Sequence, residues 1–180
     1  MSDGSPVVAI YPGSYDPVTF GHLDVIHRAA RIFDRVVVGV VRDPQHKGGT
    51  MFTVEERVEF LRDALDNHED RGSVEVDIFS ELVVEFARRW GAKAMVKGLR
   101  VVSDFEWEFQ MNHLNRQLAP EIETLYVMAN PVYSFVSSSG VKEIASFGGK
   151  VDELVPAAVA RRFAEIYPDG KPGAPVSPQE

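Results

Sequence analysis

Residues 7–41 read VVAIYPGSYDPVTFGHLDVIHRAARIFDRVVVGVV. The β-branched runs VVAIY (7–11) and RVVVGVV (35–41) are too continuously apolar to have a solvated face, so they predict strands buried on both sides. Between them Val25, Ile26, Ala29 and Phe33 recur at helical spacing. Strand, helix and strand in that order make a right-handed crossover between parallel strands. The alternation continues. VEVDIF (74–79), AKAMVK (92–97) and ETLYVM (123–128) predict three more strands. TVEERVEFLRDAL opens with Thr53 and Glu56 as a capping box and stripes Val54, Val58, Leu61 and Leu65 along one face. Leu82 to Trp90, stopped by Gly91, and Ser103 to Leu118, stopped before Pro120, predict two further helices. Two more helical stretches fall near 138–147 and 156–167. The expected fold class is α/β, a single-domain doubly wound parallel sheet with helices on both faces. In such sheets ligands bind beyond the carboxyl ends of the strands, so the loops that follow strands are where chemistry is expected.

A chain of 180 residues with 44% hydrophobic and 26% charged residues has the composition of one globular domain. Its formal charge of -8 disfavours a broad nucleic-acid-binding face, so any bound anion must meet a local cationic pocket. With no cysteine, thiolate catalysis, disulfides and Cys-ligated metals are excluded. MSDGSP at the N-terminus lacks a basic and an apolar region, and no run approaches a membrane span. A cytoplasmic location, with neither membrane nor nucleic acid as partner, is the expectation. Residues 1–6 are expected to be flexible, 7–167 to form the domain, and 168–180, rich in Pro, Gly and Ser, to form a flexible tail.

Three stretches carry the candidate chemistry. The loop Pro12 to Pro17 and the helix start Thr19-Phe20-Gly21-His22 are neither G-x-G-x-x-G nor a P-loop. Gly13 and Gly21 nevertheless allow backbone to approach a ligand, and the helix start offers free N–H groups and a positive dipole end. His22, in that first turn, either donates to a phosphate oxygen or covers the helix end. In the second stretch Lys97 and Arg100 follow a strand, and Asp104, Glu108, Met111 and Asn115 fall on one helical face toward them. This is either an anion pocket or ordinary surface ion pairing. Phe105, Trp107 and Phe109 are read as core. The third stretch, YSFVSSSGVKE (133–143), places Ser137, Ser138 and Ser139 at a helix start, where one caps and the others present donors.

GSYDPVTFGH resembles the T/HxGH signature of the nucleotidyltransferase superfamily. YPGSYDPVTFGH, MFTVEER, KGLRVVSDFEWE and YSFVSSSGVKE together, in order and spacing, resemble the phosphopantetheine adenylyltransferase family, from about Val7 to about Tyr167. The resemblance implies a Rossmann-like nucleotidyltransferase fold. It also implies transfer of the adenylyl group of ATP to 4′-phosphopantetheine with Mg²⁺, giving dephospho-coenzyme A and pyrophosphate in coenzyme A biosynthesis. Coenzyme A as feedback inhibitor and a homohexameric assembly are implied likewise. By the same carry-over, His22, Lys47 and Arg100 are catalytic. Ser14, Lys47, Leu82, Lys97, Asn115 and Glu143 hold phosphopantetheine; Gly13, Ser14, His22, Arg100, Glu108, Val136, Ser137, Ser138 and Ser139 contact ATP; no residue is a metal ligand.

The chain departs from the family pattern at three places. QHKGGT (45–50) looks two residues longer than usual; of His46 and Lys47, the fixed cation suits two phosphates better, so Lys47 takes the lysine position. Trp107 stands in place of the usual tyrosine, and Gly140 in place of a larger apolar residue. The alternatives are a sister nucleotidyltransferase with another phosphorylated acceptor, such as nicotinamide mononucleotide, and a catalytically idle nucleotide sensor. Thr19, where nicotinamide-mononucleotide enzymes carry a histidine, and the KGLR block argue against the first. Retention of His22, Lys47 and Arg100 together argues against the second.

Overall fold

The computed structural model of this chain describes residues 5–44, 49–66 and 73–168. The segments expected to be flexible, 1–6 and 168–180, fall outside it apart from Ser5, Pro6 and Pro168. In chain order the elements are β1 (Val8–Gly13), α1 (Phe20–Ala30), β2 (Arg35–Val41), α2 (Val54–Leu65), β3 (Ser73–Phe79), α3 (Val83–Arg89), β4 (Ala94–Leu99), α4 (Val102–Leu118), β5 (Glu123–Met128), α5 (Ser138–Ser146) and α6 (Ala157–Ile166). The strands form one parallel sheet in the order β3-β2-β1-β4-β5. The expected α/β class and Rossmann-like layering are what the chain adopts.

Side chains on β1 and β2 sort alternately onto the two faces. Ala9, Tyr11, Val36, Val38 and Val40 join α1, α2, α5 and α6 in one core, whereas Val8, Ile10 and Val37 join Val84, Phe86 and Ala87 of α3 in the other. That alternation, apolar in both directions, is why these runs read as continuously hydrophobic. On the α3 side the fit is tight at Gly39, where a Cβ would stand 2.4 Å from the Phe86 ring.

Two boundaries move for physical reasons. The first strand runs two residues beyond its apolar run, through Pro12 and Gly13, because β2 goes on pairing with it as far as Gly13↔Val40. Pairing with β4 stops much sooner, at Ile10↔Met95. Pro12, with no N–H to give, therefore falls where the ladder toward β4 has already ended. The first helix ends at Ala30, one turn before Phe33, which is buried against the core nonetheless.

The expectation that Phe105, Trp107 and Phe109 are core is corrected. They are 43%, 54% and 48% exposed, and α4 buries no residue at all. Beyond β4 only the edge strand β5 remains to be covered, so α4 meets too little sheet to bury a stripe. Phe105 packs on Phe109 and on the edge of Tyr126 instead.

Candidate active site

Chain order runs outward from β1 through β2 to β3, then crosses back to β4 and β5. The reversal falls between β1 and β4, the place where an open α/β sheet forms its ligand crevice. Here the two strands part after Ile10, and a cleft of about 420 Å³ opens at their carboxyl ends. Gly13, Ser14, His22, Arg100, Glu108, Val136, Ser137, Ser138 and Ser139 all line it, so three separated stretches of sequence meet in one place.

The first turns of three helices border the cleft: Gly21 and His22 of α1, Ser103 and Asp104 of α4, and Ser138 and Ser139 of α5. Each helix start brings the positive end of a dipole and those first-turn N–H groups that its cap and neighbours do not take. Their convergence favours an anion on a chain whose net charge opposes one.

The two readings of His22 turn out to be compatible. It is the third residue of α1, and its Nδ1 accepts the Thr19 backbone N–H at 3.1 Å while Thr19 Oγ1 accepts the His22 N–H at 3.4 Å. This is a capping box with imidazole in the place usually taken by Glu or Gln. A backbone amide can only donate, so Nδ1 is an acceptor and in the neutral ring Nε2 carries the proton. The Tyr15 ring stands edge-on to the imidazole at 5.2 Å between centroids. One nitrogen thus holds the helix start while the other carries the ring's proton.

Arg100 and Lys97 are both ion-paired, as one of the two readings of that stretch had it. Arg100 reaches the Asp104 carboxylate through Nε and Nη2, each at 3.0 Å, and gives Nη1 to the Val136 carbonyl at 3.3 Å. Burial pushes the Asp104 carboxyl up, but hydrogen bonds from the Arg100 side chain and backbone, with that guanidinium's charge, outweigh it and hold the group below its usual range. Lys97 pairs with Glu108 at 3.2 Å. These pairs do not exclude an anion pocket: a bidentate carboxylate leaves guanidinium N–H capacity and fixes its plane.

The three serines divide the work at the start of α5. Ser137 Oγ accepts the Gly140 N–H at 3.0 Å as the cap, and Ser138 Oγ donates to the Pro17 carbonyl at 2.8 Å, tying α5 to the first loop. Ser139 is exposed beside the cleft. A larger residue at Gly140 would bring a Cβ to 3.1 Å from the capping Ser137 Oγ.

A family model described as cytidylyltransferase-like matches residues 10–144. The phosphopantetheine adenylyltransferase of Heliobacterium modesticaldum is 51% identical over 170 residues, which is 94% of this chain and 98% of that protein. That of Deinococcus radiodurans is 49% identical over 163 residues, 88% of this chain and 95% of the relative. The chain belongs to the phosphopantetheine adenylyltransferase family. The Moorella thermoacetica member is 51% identical over 160 residues, 89% of this chain and 97% of that protein. Among solved structures, one described as a nicotinate-nucleotide adenylyltransferase from Vibrio parahaemolyticus superposes with a TM-score of 0.63, covering 89% of this chain and 93% of that one. At 12% identity it shows the shared nucleotidyltransferase fold alone.

Several family-implied positions are not among the cleft-lining residues. Leu82 is an exposed residue at the start of α3, Asn115 lies far along α4, Glu143 is exposed on α5, and Lys97 is ion-paired with Glu108. Lys47 and its neighbour His46 fall outside the described residues. Conversely, Trp107, expected in the core, lines the cleft, as do Tyr11, Ser103 and Tyr133. Asp104 was legible as a partner because it stands four residues after Arg100 in the first turn of a helix; Tyr133 had no such signal, since it enters from a short 3₁₀ turn at Pro131–Tyr133.

Proposed function

We propose that this chain transfers the adenylyl group of ATP to 4′-phosphopantetheine, releasing pyrophosphate and forming dephospho-coenzyme A. The observation that carries the reading is the convergence of three helix N-termini, His22 and Arg100 on one cleft at the sheet's switch point. Family membership supplies the acceptor. The range 7–167 is read as one nucleotidyltransferase domain, since all five strands join one sheet.

The acceptor phosphate is already a nucleophile. One of its oxygens attacks the α-phosphorus of ATP, the bond from that phosphorus to the bridging oxygen breaks, and pyrophosphate leaves in line with no covalent protein intermediate. The protein's task is placement and charge stabilisation. His22 donates from Nε2 to a phosphate oxygen as charge builds, and Arg100, its plane set by Asp104, neutralises the triphosphate. The Lys47 ammonium is assigned to bridge both substrates. Gly13, Glu108 and Val136 to Ser139 are assigned to ATP. Ser14 is assigned to both substrates, and Lys97, Leu82, Asn115 and Glu143 to phosphopantetheine.

Among the described residues no group of three or more His, Asp or Glu side chains is placed to hold a metal, and the cleft's acidic groups Asp104 and Glu108 are ion-paired. Mg²⁺ would enter with the triphosphate rather than on a cluster of this chain's own carboxylates. When bound, the ion supplies neutralisation of the phosphates' charge. Coenzyme A, sharing the pantetheine arm, is assigned to the same cleft as an inhibitor. No helix among the described residues is long and apolar enough to cross a membrane, and we place the activity in the cytoplasm. A homohexamer is the proposed assembly.

The test is pyrophosphate release from Mg-ATP with 4′-phosphopantetheine, nicotinamide mononucleotide or no acceptor. Release with phosphopantetheine alone, with dephospho-coenzyme A detected by mass, is expected. Release with the mononucleotide instead would move the chain to a sister specificity. ATP binding without any release would make it a sensor.

A further inference from the structure

α2 carries an arginine where its pattern calls for an apolar residue. Arg57 lies among Val54, Val58 and Leu61, on the buried face, and is 1% exposed. Its guanidinium makes no ion pair among the described residues, and all four of its hydrogen bonds go to main-chain carbonyls: Nη1 to Ser14 and Val41, Nη2 to Arg42, each at 2.8 Å, and Nε to Thr53 at 3.3 Å. Taking a cation out of water with no carboxylate in contact is costly, and burial pulls the Arg57 guanidinium below its usual range against the opposing charges of Asp16, Asp43 and Glu55. What the arginine adds is geometry, since its planar fork holds three separate stretches of backbone in one arrangement. Ser14 lines the cleft, and Arg42 and Thr53 flank the connection between β2 and α2.

The same junction is held from its other side. The Asp16 carboxylate, also 1% exposed, accepts the backbone N–H groups of Met51 at 3.0 Å and Phe52 at 2.9 Å and the Lys142 ammonium at 2.6 Å. Between Ser14 and Asp16, Tyr15 has φ of 50°, a left-handed conformation that a bulky side chain keeps only when its surroundings impose it. The Arg57 bond to Ser14 O, the Asp16 bonds and the Tyr15 hydroxyl's bond to Tyr11 O at 2.7 Å are those impositions. The turn so fixed sets which way the Ser14 peptide faces.

We propose that Arg57 is a positioning residue for the adenylyl transfer, acting on substrate placement through the Ser14 backbone and touching neither substrate itself. This rests on the function proposed above. The experiment compares wild type with Arg57→Lys, which keeps the charge and loses the fork, and Arg57→Met, which keeps the length and removes the buried charge. For variants that melt cooperatively, KM for 4′-phosphopantetheine, for ATP or for both rises by about tenfold or more. A purely structural role would lower the melting temperature and scale kcat with both KM values unchanged, and that result overturns the proposal. So does failure of both variants to fold, which would assign Arg57 to stability alone. Absence of turnover in the wild type refutes the function itself, so the two failures are told apart within one experiment.

Discussion

At the scale of single residues the cleft is built from side chains that do two things at once. His22 closes the capping box of α1 through Nδ1 and lines the cleft, and Asp104 fixes Arg100 while accepting that residue's backbone N–H at 3.0 Å. The proposed role for His22 predicts that His22→Ala lowers kcat by roughly 10²- to 10³-fold, as loss of one transition-state donor does elsewhere, with KM for ATP changed only a few-fold. The same substitution opens the capping box, which costs about 1 kcal/mol and a few degrees of melting temperature. Thr19→Ala separates the two effects, because it loses the side-chain cap and leaves the imidazole in place. Steady-state kinetics and thermal melts of both variants decide the point: an unchanged kcat in His22→Ala removes the histidine from the transition state. Sequence carried most of this constellation, since the glycines, histidine, arginine and serines sit in loops that follow strands. It did not carry Arg57, whose four carbonyl partners come from the loop after β1, from the end of β2 and the residue after it, and from the residue before α2, and are brought together only by folding.

Among the elements, α2 shows which features are local enough to read and which are not. Thr53 and Glu56 form the anticipated capping box, Thr53 N–H to Glu56 at 2.9 Å and Glu56 N–H to Thr53 at 3.2 Å, because every atom involved lies within one turn. The partner that stiffens it, Arg162 of α6 at 2.8 Å from Glu56, lies 106 residues away and leaves no mark in the local pattern. Burial pushes the Glu56 carboxyl up, but the Thr53 backbone bond, the Arg162 hydrogen bond and the Arg162 charge together hold it below its usual range. A carboxyl depressed on folding stabilises above its unfolded pKa of about 4.3, and that contribution is lost as pH falls through the lower folded value. Glu56→Gln keeps a capping-box side chain and removes only the charge. The wild type should therefore melt higher than Glu56→Gln at pH 7, by about 1 kcal/mol or less. The gap should close as pH falls from about 5 toward 3; melts across that range check it, and a gap independent of pH would detach the effect from ionisation. α4 marks the opposite limit of legibility. Of its expected polar stripe, Asp104 and Glu108 meet Arg100 and Lys97, yet its aromatic residues were expected in a core that the sheet is not wide enough to provide. Periodicity says that an apolar face exists; it does not say what covers it.

For the molecule as a whole, topology decides where the cleft lies and leaves one surface unexplained by the single chain. The switch between β1 and β4 opens the crevice, and the crossovers bring α1, α4 and α5 to it by their N-termini. On the far side of the sheet from β3, α4 and the edge strand β5 expose Val102, Trp107, Leu114 and Leu118 together with Leu125 and Met128. Six exposed large apolar residues on one helix and its neighbouring edge strand are candidates for cover by another chain. In the proposed homohexamer other copies of the chain supply it. Light scattering at micromolar concentration should then give six chain masses, and Leu114→Glu, which places a charge in the patch away from the cleft-lining residues, should lower the mass. Far-ultraviolet circular dichroism should stay unchanged, because α4 draws no buried residue from Leu114 within its own chain. A wild-type mass of one chain would leave the patch without copies to cover it and remove the hexamer; a full-sized Leu114→Glu assembly would keep the hexamer and move its interface off α4.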